Sequence, residues 1–389
     1  IRSRIFENYD SLIIGKKNVS NNRVAIYIYD SIINKGLNAS NNHGVNLTGK
    51  TGQIINNDSI ILKSNTKLTN EGIINNNNTS ELYNLGTIYN SNQMKISGGI
   101  IENDSTILNN GTIEIENNSG NAYNNGNIGK IKNKNYGNIE NLAGGTFTII
   151  SGELINSNQA KFKNNNQLTN NSLGIIRIKD SSIFTNNSRL NNTGIIYDSY
   201  IFNNNAGAEL NNNVGGRLYH DSILINNGTF INYGIFNSTD SAIFTNNNIF
   251  KNWLGATFTN QTPLRIQNTF INYGTIKTDS ILTIKYGHIF DNYNKVKMHG
   301  KSHLIVDGKL INYEKNATNN DSIDLSNDSG IIIIGTNAKL TNNNITSLNK
   351  GFIIDSSIFT NNSTFTNSGT ITLNNVPSRS TARGGVIKN

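Results

Sequence analysis

The chain has 389 residues and no cysteine. That absence excludes a disulfide framework, a thiolate metal site and a cysteine nucleophile. A secreted protein without disulfides must draw its stability from another source, and a long ladder of backbone hydrogen bonds would supply it. Proline is scarce as well, with 2 residues against roughly 19 at average usage. Charge is sparse, at 15% of residues, and the hydrophobic fraction is 35%, below the usual range of a compact domain. No apolar run approaches the ~18 residues of a membrane span; the longest lies near Ile331 to Ile334. Helix formers such as Ala, Leu and Glu are thin, and no segment sustains a 3.6-residue period, so little or no helix is expected.

What fills the space is asparagine, about a fifth of the chain, far above average usage. Ile is the commonest apolar residue. A chain this polar could be disordered. The low charge and the regular spacing of Ile, Thr and Val argue for order instead. The net charge is +8 and the pI about 9.3. The positive residues are spread thinly, with no run of five and few aromatics beside them, so they read as a solvated surface and not as a nucleic-acid site. The chain opens on Ile1-Arg2-Ser3, which suggests an upstream segment removed on secretion. A secreted, cell-surface location is the expectation, with no membrane span.

Repetition is the main signal. Asp-Ser followed by apolar residues recurs at Asp10, Asp30, Asp58, Asp104, Asp180, Asp198, Asp221, Asp240, Asp279, Asp321 and Asp355. Several intervals are close to 20 residues, for instance Asp10 to Asp30 and Asp221 to Asp240. Periods of this length mean a solenoid or an array. The copies starting at Asp180, Asp221 and Asp355 each hold a strand, an Asn pair, a second strand, an Asn-x-Gly turn and a third short strand. Gly and Asn tolerate positive φ and suit sharp corners. Stretches such as Thr229 to Tyr233 and Leu108 to Ile115 mix apolar and polar residues with a period near two, as half-buried strands do.

These features predict an all-β chain, a single-stranded parallel β-solenoid (β-helix) of roughly 17 to 19 coils, each about 20 residues long and ~4.8 Å from the next. Asn-Gly between strands is also a hairpin signal, which keeps an antiparallel sandwich or barrel as the rival. The solenoid explains the asparagine. Equivalent residues sit one above another, and each carboxamide can donate to the one in the next coil and accept from the one before. Stacked Asp or Lys would repel. Inward Ile and Phe would form columns likewise. Residues 51–373 are expected to carry the repeats, 1–50 an irregular basic segment or cap around a strand at Val24 to Tyr29, and 374–389 a tail or connector.

The strings Asn-Asn-Gly-Thr-Ile/Phe and Asn-Tyr/Ser/Asn-Gly-Thr/Ile-Ile, as at Asn109 to Ile113 and Asn226 to Ile235, carry a resemblance. Over about residues 50–373 the chain resembles the Asn-rich β-helical surface proteins: the haemagglutinin-repeat and autotransporter-passenger regions of bacteria, and adhesin-like or sheath proteins of archaea. That resemblance is one of style. It implies surface display, adhesion or assembly, and carries over no catalytic residue.

The function expected is a structural subunit of an extracellular filament, sheath or surface layer, a homopolymer joined through open strand edges and terminal segments. A monomeric adhesin rod binding glycans is the alternative, and a glycan-active β-helix enzyme stands behind it. An enzyme needs two carboxylates facing one cleft; Glu114 with Glu116, and Asp291 with Asp307, are unspecific pairs. No cofactor is expected. Lys285, His288, Lys297, His299, Lys301 and His303 form an irregular basic patch whose spacing fits no zinc signature; it is the candidate contact for a cell-surface glycan or polyanion. Thr-x-Thr at Thr146, Thr257, Thr364 and Thr370 reads as ordinary strand threonine. About twenty Asn-x-Ser/Thr sequons occur, and Asn18, Asn46, Asn110, Asn227 and Asn344 are candidate glycosylation sites.

Overall fold

The computed structural model describes backbone and side chains over residues 81–116, 130–239, 241–285 and 287–293. Elsewhere it describes strand backbones, with a few side chains between Leu62 and Asn76 and that of Val296. The chain divides into two compact units, Ile1–Asn203 and Asn204–Asn389. Both are parallel β-solenoids, with coils of about 20 residues and about ten turns described in all. No described residue is helical.

Among the fully described residues each coil has three strands, and each strand pairs in parallel with its equivalents in neighbouring coils. In the first unit one sheet holds Glu81–Asn84, Ile100–Asn103, Lys130–Asn133, Glu153–Asn156 and Ile175–Ile178. The second holds Thr87–Asn90, Thr106–Asn109, Asn138–Asn141, Lys161–Asn164 and Ile183–Asn186. The third holds Gln93–Ser97, Thr112–Glu116, Thr146–Ile149, Gln167–Asn170 and Arg189–Asn192. The second unit repeats the plan. Its third sheet, for example, runs Glu209–Asn212, Thr229–Asn232, Ile249–Asn252, Phe270–Asn272 and Ile289–Asn292. Parallel pairing continues through strands whose backbone alone is described. Arg2–Asn8 lies along Ala25–Lys35, and Val386–Lys388 along Ile358–Asn361. One short antiparallel pair, Asn375–Val376 with Arg383–Gly384, stands apart.

The local rule is a four-residue strand with period two. In Thr229-Phe230-Ile231-Asn232 the second and fourth residues are buried and the first and third half-buried. The pattern recurs in most described strands. The second residue is Ile, Leu or Phe, and these make a narrow core three side chains wide. Phe162 stacks on Phe184 with centroids 4.9 Å apart in the first unit. Phe230, Phe250, Phe270 and Phe290 run in file in the second, at 5.0, 4.6 and 5.1 Å. The fourth residue is usually Asn, and it is fully buried at Asn90, Asn141, Asn186, Asn232 and Asn272 among others, none above 1% exposed.

Corners are what the Asn and Gly supply. At Asn135-Tyr136, Asn158-Gln159 and Asp180-Ser181 two successive residues take φ between 51° and 66°, and the turn closes by a backbone bond such as Gly137 N–H to the Lys134 carbonyl, 2.9 Å. Asp180-Ser181, one copy of the repeated Asp-Ser, forms such a corner, whereas Asp198 of another copy ends the strand Ile195–Asp198 and is buried. Gly145 shows why some corners admit no side chain: a Cβ there would run into the Asn109 carbonyl and the Asn141 carboxamide oxygen. Leu108 to Ile115, which alternates as one strand would, is two strands with a corner at Asn110-Gly111 between them.

Candidate functional site

The buried asparagines join into columns. In the second sheet of the first unit the Nδ2 of Asn70 donates to Oδ1 of Asn90 (2.6 Å), Asn90 to Asn109 (2.7 Å), Asn109 to Asn141 (2.8 Å), Asn141 to Asn164 (2.9 Å) and Asn164 to Asn186 (2.8 Å). In the first sheet Asn84, Asn103, Asn133 and Asn156 do the same. In the third sheet of the second unit Asn212, Asn232, Asn252, Asn272 and Asn292 link at 2.7–2.9 Å. The second Nδ2 proton goes to a main-chain carbonyl just past the corner of the next coil, as from Asn90 to Thr112 at 3.0 Å. Both donors and one acceptor lone pair are therefore used, and a carbonyl left over by the turn is satisfied. The sequence pointed to amide stacking; the burial at corners and the main-chain bonds are what the structure adds. The column position is not always Asn. Ile96, Ile115, Ile149, Ile178 and Asp198 take it in the first unit, and His220, Ser238, Ile266, Thr278 and Ile284 in the second.

Two surface features stand out beyond this framework. The first sheet of the first unit carries charges that pair across coils. Glu102 accepts from Lys132 at 2.9 Å and Lys134 at 2.7 Å. Glu153 lies between Lys130, at 3.2 Å, and Arg177, whose guanidinium sits 4.6 Å from the Tyr197 ring centre. Burial pushes the Glu102 carboxyl up, but hydrogen bonds from Lys134 and Lys132 and their charges outweigh it and hold it below its ordinary range. Glu153 is lowered in the same way by Arg177 and Lys130 against its burial. On the second sheet the bond from Lys163 leads in lowering Glu140.

The second feature is a column of aromatic side chains on the third corner of the second unit. Tyr233, Trp253, Tyr273 and Tyr293 each follow the column asparagine of the third sheet. Each donates its backbone N–H to the carbonyl of the asparagine one coil earlier, at 2.7–2.8 Å, which places the four one above another. Their ring centroids are 5.7, 5.0 and 4.7 Å apart. Tyr273 and Tyr293 lie nearly parallel, at 18°. Trp253 is inclined at 55° to Tyr233 and 62° to Tyr273. It is 39% exposed. Leu254, at the tip of the same turn, and Val214, at the tip of an earlier one, are more exposed still. Burial, then the nearby Tyr293 and Asp291, push the Tyr273 hydroxyl's pKa up. The signal was present in the sequence: an aromatic after Asn at 20-residue intervals.

Of the basic patch, Lys285 and His288 occupy the turn before Ile289–Asn292, joined by a bond from the His288 N–H to the Lys285 carbonyl, 3.1 Å. His299 and Lys301, and the side chains of Lys297 and His303, lie outside the described residues. Among the sequons, Asn110 is exposed at a corner. Asn227 is half-buried, and its Oδ1 accepts from Asn247 Nδ2 at 2.8 Å. Asn18, Asn344 and the side chain of Asn46 lie outside the described residues. Glu114 and Glu116 share an outward strand face, but Glu116 is paired with Lys95 at 2.8 Å. Asp307 is beyond the described side chains. Thr146 and Thr257 lie on the third and first sheets of their units. Among the described residues no cluster of His, Asp or Glu could hold a metal ion, and no helix is long and apolar enough to cross a membrane.

Comparison with family models, with curated proteins and with solved structures finds no match. What can be said of function rests on the geometry.

Proposed function

We propose that this chain is a structural subunit of an extracellular filament, sheath or surface layer. The observation that carries the reading is the in-register column of buried, uncharged carboxamides. Such an interior is satisfied only where another coil lies above and below, so a strand edge, wherever the stack stops, offers unpaired backbone and amide groups to a further coil. A second copy of the chain would continue the same columns. The likeness in style to Asn-rich β-helical surface proteins points the same way. Negative-stain images and sedimentation of the purified protein over a range of concentration test the proposal. Filaments or sheets are expected; monomers at every concentration and ionic strength would reject it. The second reading, a surface adhesin, is favoured by the aromatic column of the second unit.

A further inference from the structure

We propose that the aromatic column of the second unit, centred on Trp253, is a binding site for an extended polysaccharide chain lying along the coils. The site is independent of whether the protein polymerises.

The argument begins with ring orientation. Rings stacked only on one another would turn their edges outward and leave their faces covered. Tyr273 and Tyr293 do this, at 18°. Trp253 does not: inclined by 55° and 62° to its neighbours, its indole leaves the stack. Packing within the column therefore leaves part of the largest π surface in the chain to solvent, at 39% exposure. An aromatic face is attracted to the weakly positive C–H groups on the flat side of a pyranose by its quadrupole, while a hydroxyl-lined edge hydrogen-bonds. Tyr233, Tyr273 and Tyr293 supply phenolic hydroxyls on both sides of the indole along the axis.

Repeat length selects the occupant. One aromatic residue per coil, at centroid steps of 4.7–5.7 Å, follows the strand spacing of ~4.8 Å. That step is comparable with one sugar residue of an extended polysaccharide, so successive sugars can meet successive rings. A globular protein surface does not present that period; a second copy of this solenoid would, and the protein-concentration arm of the test separates it from a sugar. Leu254 and Val214 extend the apolar surface at the turn tips, and Lys251, on the strand leading into Trp253, provides a cation for hydroxyl or uronate oxygens.

Trp253 is the single tryptophan of the chain, so its emission reports this site alone. The purified full chain would be titrated with cellohexaose, chitohexaose, mannohexaose and polygalacturonate while Trp emission is followed. At least one should change the emission saturably. Trp253→Phe should keep binding, and Trp253→Ala should weaken it by up to about tenfold, read by calorimetry with the same sugar, as expected for loss of an aromatic contact. Leu254→Glu, which removes apolar surface at an exposed turn tip beside the indole, should also weaken binding of whichever sugar of the panel binds, and it serves if Trp253→Ala does not fold as judged by circular dichroism. Silence across the panel, or equal binding by the Ala and Glu variants, would overturn the proposal. So would an emission change that follows protein concentration without sugar, which would make the corner a contact between copies.

Discussion

Replacing Asn141 by leucine would strand several groups at once. Its Oδ1 accepts from Asn109, and its Nδ2 donates to Asn164 and to the Gln167 carbonyl at 3.0 Å. Leucine has a similar volume but satisfies none of these. Each orphaned buried group costs about 1–3 kcal/mol, so a loss of at least about 2 kcal/mol is predicted, read from the urea midpoint. Asn165 makes the contrast. Its Oδ1 accepts from Asn187 at 2.7 Å and its Nδ2 donates to Glu140 at 2.8 Å on the partly buried outer face, where water can replace either partner, and Asn165→Ala should cost under about 1 kcal/mol. If the two variants are equally destabilised, the distinction between inner and outer amides is wrong. In the apolar file, Phe250 is fully buried between Phe230 and Phe270. Phe250→Ala should cost about 3–5 kcal/mol, since the stacked rings above and below limit collapse of the cavity.

At the scale of the sheets, charges on the first and second sheets of the first unit set a pH dependence. Glu102, Glu140 and Glu153 are all held below their ordinary range by basic neighbours. A carboxyl whose pKa is lower folded than unfolded stabilises the fold above its unfolded pKa and loses that contribution as pH falls through the folded value. The melting temperature should therefore be flat near neutrality and fall below about pH 4.5. Glu153→Gln should flatten that acid limb. An unchanged limb would mean the pairs do not persist in solution. Isolated pairs matter less: Lys163→Ala removes one partner of Glu140 in a half-exposed bridge and should cost under about 1 kcal/mol.

Much of this element plan was legible in the sequence, for a physical reason. Stacking makes one coil resemble the next, so the register of the sheets is written as the spacing of Asp-Ser and Asn-Gly. The parallel arrangement and the amide stacking followed from that spacing. Finer features did not. The corner inside Leu108 to Ile115 was hidden because Asn109, Asn110 and Gly111 interrupt the alternation too briefly. The inward place of the column asparagines was hidden because a polar residue at the fourth position reads as solvent-facing until its partner coil is present. The aromatic column is written as an aromatic after Asn every 20 residues, a weaker local signal than the clustered basic residues around His288, most of whose side chains fall outside those described.

For the whole molecule, nearest-neighbour stacking implies that coils are interchangeable modules. Deleting residues 175–194, one full coil, joins Gly174 to Ile195 and leaves each remaining strand in phase with a neighbour. That variant should keep the β-type circular dichroism and unfold cooperatively. Deleting 175–184, half a coil, puts the corner residues Asn187 and Ser188 where the first-sheet strand Ile175–Ile178 pairs with its neighbours, shifts the following strand out of its sheet, and should abolish folding.

The carboxamides themselves offer the most direct test. With asparagine side chains labelled by nitrogen-15, hydrogen exchange of the Nδ2 protons can be followed by nuclear magnetic resonance. Slow exchange is predicted for the column set, Asn90, Asn109, Asn141, Asn164, Asn232, Asn252 and Asn272 among them, and fast exchange for exposed Asn110. Uniformly fast exchange of all Asn side chains in the folded protein would contradict the stacked amide interior and the fold built on it.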